Sequence, residues 1–116
     1  MRLSSRQVRA AYELLRTLPP YCRWGLPKPE QIRFAVSNRK GEYGRYEYDG
    51  CAHSIEISRR NVKNLHALTI TMAHEVLHLR QQLAGTSSDR YQHNRDFMRL
   101  AKHVCRVLGF DSKGFK

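Results

Sequence analysis

The stretch that decides the fold is residues 65–84, Leu65-His66-Ala67-Leu68-Thr69-Ile70-Thr71-Met72-Ala73-His74-Glu75-Val76-Leu77-His78-Leu79-Arg80-Gln81-Gln82-Leu83-Ala84, followed by Gly85. Leu68, Met72, Val76, Leu79 and Leu83 recur at helical spacing and form one apolar face, with Ile70 and Leu77 on another flank. From Leu65 to Leu79 the one residue with a full formal charge is Glu75. A helix that is apolar nearly all round is a buried helix, so this segment, from about Asn64 to Ala84, is expected at the centre of the domain. Gly85 can end it in the left-handed capping conformation.

Inside that helix, His74-Glu75-Val76-Leu77-His78 is an H-E-x-x-H motif. Residues four apart project from the same side, so the two imidazoles can grip one ion, and zinc suits neutral imidazole nitrogen. Glu75 is turned about 100° around the axis. It therefore stands beside the ion, where its carboxylate can take a proton from a metal-activated water. The blander reading is a chance match among ordinary core or surface histidines. Against it, burying a lone carboxylate costs several kcal/mol, and a dication between the histidines would offset that cost.

Two histidines leave a tetrahedral catalytic site one protein ligand short. Candidates for the third are His93, His66, His53, His103, Asp89, Asp96 and Cys51. His93 is the best placed, because a tight reversal through Gly85 brings it back over the metal. His66 would lie roughly 12 Å away along the helix axis. His103 falls about 100° from the inward face of its own helix. Asp96 is instead read as orienting a ligand histidine from behind.

Working outward, a last helix is expected over roughly Asn94–Leu108, stopped by Gly109, with Phe97, Leu100, Ala101, Val104 and Leu108 inward. Arg95, Arg99, Lys102 and Arg106 share its outer side. A first helix is expected over about Ser5–Leu18, with Ser4 and Gln7 at capping-box spacing. Val8, Ala11, Leu15 and Leu18 face inward, Arg6, Arg9 and Arg16 outward, and Pro19-Pro20 stops it. Between the first helix and the central one lie three strand-like runs, Gln31–Val36, Tyr43–Tyr48 and His53–Ser58. Asp49-Gly50 favours a hairpin between the last two. The expected fold is α+β, with a small, mainly antiparallel sheet.

The 116 residues suit one domain spanning 1–116. A formal charge of +11, from 21 Lys plus Arg against 10 Asp plus Glu, favours a polyanionic partner, with non-specific DNA held on the basic helix faces. Cys22, Cys51 and Cys105 are odd in number and contain no Cys-x-x-Cys pair, which fits a reducing cytoplasm. No stretch approaches the roughly 18 apolar residues of a membrane span.

The order of helix, three strands, H-E-x-x-H helix and final helix resembles the SprT/Spartan-like metallopeptidase family over roughly Ser5 to Leu108. That family's third histidine lies in a His-Gly-x-x-Phe-type motif. His93-Asn94-Arg95-Asp96-Phe97 matches it at His93 and Phe97, with Asn94 in place of glycine. Tyr46-Glu47-Tyr48-Asp49 and Ser54-Ile55-Glu56-Ile57-Ser58 are similar to the family's sheet. The resemblance implies a zincin-like protease core with Zn2+ on His74, His78 and His93, Glu75 as general base, and protein substrates bound or crosslinked to DNA. The zinc ribbon of many members is not expected here. An extended substrate is expected to add to the strand His53–Ser58, with Tyr91, Tyr43, Tyr46 and Tyr48 considered as oxyanion donors. Trp24 is considered for base stacking. Competing readings are a basic nucleic-acid-binding module with a structural zinc and a metal-dependent nuclease. Glu75 argues against the latter, where comparable enzymes carry glycine. A deformylase-like site using Cys51 lacks the rest of its motif.

Overall fold

The computed structural model describes residues 2–88 and 90–115. Helix α1 (Ser5–Arg16) starts at Ser4, whose hydroxyl accepts from the Gln7 amide while the Gln7 side chain reaches back to the Ser4 amide. This capping box was legible in the sequence, but the helix stops two residues earlier than expected. Val8, Ala11, Tyr12 and Leu15 are its buried face.

Strands β1 (Ile32–Ser37), β2 (Gly44–Tyr48) and β3 (His53–Ser58) form one sheet in the order β1-β3-β2. β2 and β3 are antiparallel across the Asp49-Gly50 turn, where Asp49 Oδ1 accepts from the amides of Cys51 (2.8 Å) and Ala52 (2.7 Å). β1 and β3 are parallel, from Ile32 opposite His53 to Ser37 opposite Ser58. The sheet is therefore mixed, not mainly antiparallel. The physical reason is burial: Ile55 and Ile57 are fully inaccessible, so β3 belongs in the middle. The connection from β1 to β2 must then step across it, a gap of about 10 Å that six residues span easily.

Helix α2 (Leu65–Ala84) lies against the inner face of this sheet and against α1. Asn64 caps it through the Ala67 amide at 2.8 Å, and Gly85 ends it at φ 74°. Leu68, Met72, Val76, Leu77 and Leu79 are buried, as expected, while Leu83 is exposed. Tyr21, 1% exposed, donates to the Ala73 carbonyl at 2.7 Å and so anchors α2 one residue before His74. Helix α3 (Arg95–Leu108) packs on α2 with Phe97, Leu100, Ala101, Val104 and Cys105 inward. No helix among the described residues is long and apolar enough to cross a membrane.

Candidate metal centre

His74 and His78 project from one side of α2, and the chain reverses after Gly85 so that His93 returns over them immediately before α3. One nitrogen from each ring lies within 4.8 Å of the other two, the one such group of three potential ligands among the described residues. Phe97 is the platform beneath them. Its ring stacks on His93 at 4.3 Å and on His78 at 4.7 Å, and meets His74 edge-on at 5.1 Å. That platform follows from the spacing, because Phe97 falls in the first turn of α3, four residues after His93.

With protein groups alone, burial holds the three rings neutral. Desolvation, reinforced by His78 and His93, takes His74 down to about 3, and desolvation with His93 takes His78 to about 4. His93, more exposed, is lowered by the same cause. Neutral imidazole is the form that binds metal. His74 Nδ1 is buried with no hydrogen-bond partner among the described residues. Three uncharged imidazoles, each with one ring nitrogen free of a proton, fit a divalent cation.

Glu75 lies beside this cluster and outside the group of three. Desolvation, then the Glu42 carboxylate, push it up to about 8, and the backbone amide of Tyr46 opposes them. A dication next to it would restore the ionised form. The carboxylate is gripped closely: a Cβ on Gly44 would come within 3.1 Å of Glu75 Oε2 and 3.0 Å of Thr71 Cγ2. Neither Gly44 nor Glu42 was singled out from the sequence. A glycine opening a strand is a signal of close backbone approach, and it was available at Gly44. Glu42 is held by Arg45 at 2.8 Å.

β2 is the edge strand that borders the cleft and β3 is the central strand, which corrects the expectation that substrate adds to His53–Ser58. The Tyr43 carbonyl accepts from the Ser58 amide at 2.8 Å, and the Asp49 amide donates to Ala52 at 3.2 Å. Alternation then turns the backbone groups of Gly44, Tyr46 and Tyr48 away from β3. The cleft, about 480 Å³, is lined by these residues together with His74, Glu75, His78 and His93.

The remaining candidates for the third ligand are elsewhere. His66 is exposed. His53 Nδ1 pairs with Tyr46 Oη at 2.6 Å, and His103 pairs with Arg106. Cys51 is exposed in the hairpin turn. Asp96 bonds Gln81, Thr86 and Arg99 rather than a histidine ring. Asp89 lies outside the described residues. Tyr43 and Tyr91 are exposed and do not line the cleft. Trp24 packs edge-on to Tyr21 at 5.0 Å, under Arg80.

Three imidazoles and a buried carboxylate on and around one helix make this a metalloprotease-like domain. The family model described as SprT-like matches residues 11–113, most of the chain, and the chain belongs to that family. No curated protein matches it.

Proposed function

We propose that this chain is a zincin-like, zinc-dependent endopeptidase acting on protein substrates, with His74, His78 and His93 as metal ligands and Glu75 as general base. The observation that carries the reading is the convergence of three neutral ring nitrogens within 4.8 Å beside a buried carboxylate that is not one of the group. A cation held there supplies Lewis acidity toward a peptide carbonyl and the attacking water. Glu75 takes the water's proton on a carboxylate oxygen as the C–O bond forms. It returns that proton to the amide nitrogen as the C–N bond breaks. An extended substrate pairs with the outward backbone groups of Gly44 and Tyr48 and with the Tyr46 carbonyl, the Tyr46 amide being held by Glu75.

A group of three potential ligands that lines an open cleft would favour catalysis over a structural zinc, which is usually closed by four protein ligands. We further propose DNA as a non-specific partner. On the helix faces Arg9 is paired with Glu30 and Arg99 with Asp96, leaving Arg6, Arg95 and Lys102 exposed. Lys40, Arg59, Arg60 and Lys63 are also exposed, on two loops joined by Asn61, which donates to the Lys40 and Glu42 carbonyls. They make no ion pair among the described residues and add to the exposed basic groups available to phosphate. The free thiols of Cys22, Cys51 and Cys105 support a reducing, cytoplasmic setting.

The test is casein cleavage by wild type and Glu75→Gln, with and without chelator and single-stranded DNA. Glu75→Gln is expected to lose about 10²–10⁴-fold in kcat while keeping its zinc. Undiminished cleavage by that variant removes Glu75 from its role, and cleavage unaffected by DNA removes DNA as an activator.

A further inference from the structure

Gln81 stands about one helical turn beyond His78 and is 1% exposed. A carboxamide that deep needs partners, since an unmet buried polar group costs about 1–3 kcal/mol. Its Nε2 donates to Asn94 Oδ1 at 2.9 Å and to Asp96 Oδ2 at 3.1 Å. Those partners also close on one another. Asn94 Nδ2 donates to the Thr86 carbonyl at 3.0 Å, and Thr86 Oγ1 donates to Asp96 Oδ2 at 2.7 Å. The Thr86 amide donates in turn to the Gln81 carbonyl at 3.0 Å. The result is a ring of bonds that ties the end of α2 to the start of α3 across the loop carrying His93.

The ring reaches the metal centre by two short routes. Asn94 adjoins His93 in the chain, so fixing its side chain fixes the backbone from which the imidazole leaves. Asn94 Oδ1 also caps α3 through the Phe97 amide at 2.9 Å, and Phe97 is the surface on which the His93 ring lies. His93 has no hydrogen bond of its own among the described residues, so its placement depends on these neighbours.

We propose that Gln81 is a positioning residue for the third imidazole: it holds residues 93–94 over His74 and His78 and so sets the affinity for the metal. The proposal rests on the metal-centre reading above. Without the ring, the loop from Thr86 to His93 would have to be ordered at the moment of binding, and that cost would appear as weaker binding.

Gln81→Met keeps the side chain's length and removes its donors. Zinc dissociation constants are to be measured by chelator competition for wild type, Gln81→Met, His93→Ala and the double variant, with far-ultraviolet circular dichroism on the metal-free proteins to check the fold. Gln81→Met is expected to bind zinc about 10–100-fold more weakly, with no further loss when His93 is already alanine. A merely structural role for Gln81 would weaken zinc equally in both backgrounds, and that result overturns the proposal. So does wild-type affinity in Gln81→Met. If wild type itself does not bind zinc, the metal-centre reading falls as well, so the two failures are distinguishable. Should Gln81→Met not fold, Thr86→Val removes one strut of the ring at an exposed residue. A few-fold weakening, again absent in the His93→Ala background, supports the proposal, and an unchanged constant overturns it.

Discussion

Two of the walls of the cleft, beside the one that β2 supplies, are built in opposite ways. On the α2 wall, His74 and Glu75 are buried at 9% and 6% exposure, and rigid helix geometry sets their spacing. The other is the connection to α3, residues 86–88 and 90–93 among those described, whose third imidazole is exposed and is placed by side-chain hydrogen bonds and by one aromatic ring. The first wall has its chemistry written into the periodicity of one segment. The second depends on residues far apart in the sequence meeting correctly. Disturbing the helix wall should therefore change protonation and turnover, while disturbing the loop wall should change metal affinity.

The largest expected effect concerns Glu75 in the chelated protein. Raised from an ordinary 4.5 to about 8, it keeps a proton in the folded state that the unfolded chain has already released. That contribution to stability is fully present below pH 4.5 and is lost as pH rises through 8. His74 and His78 run the other way: held down to about 3 and 4, they contribute stability above pH 6.5 that is lost as pH falls toward those values. Thermal melts with chelator should show Glu75→Gln gaining on wild type by a few kcal/mol between pH 4.5 and 8, then levelling. Zinc should abolish the trend, and a pH-independent difference would contradict it.

A smaller effect is expected at Gly44, where an added methyl must push Glu75 or Thr71 aside by a few tenths of an ångström. Gly44→Ala should lower kcat on the order of 10-fold and leave the zinc dissociation constant unchanged. A loss of zinc with preserved turnover would reverse the assignment of the two walls. The smallest effect compares two asparagine caps, Asn64 on α2 and Asn94 on α3. Alanine at either should cost about 1 kcal/mol in denaturant unfolding. Asn94→Ala alone should also weaken zinc, because it breaks the ring around His93.

The sequence exposed most of the helix wall. A lone acid among apolar residues between two histidines is a local pattern, and the Asn64 and Gly85 boundaries fell where side-chain chemistry puts them. His93 was reachable because the reversal at Gly85 is short. Strand order was not legible: alternation in Gln31–Val36 looks the same beside a parallel or an antiparallel neighbour, and only the Asp49-Gly50 turn specified a pairing. Misreading β3 as an edge followed from that. Gly44 and Gln81 were overlooked because their roles exist only through partners distant in the sequence, Glu75 and Thr71 for one, Asn94 and Asp96 for the other.

X-ray absorption at the zinc edge of the reconstituted protein tests the central claim most directly. The account predicts three histidine nitrogens at about 2.0–2.1 Å and one oxygen from solvent, unchanged in Glu75→Gln. Sulfur in the coordination sphere, a fourth protein ligand, or an oxygen that disappears in Glu75→Gln would contradict it.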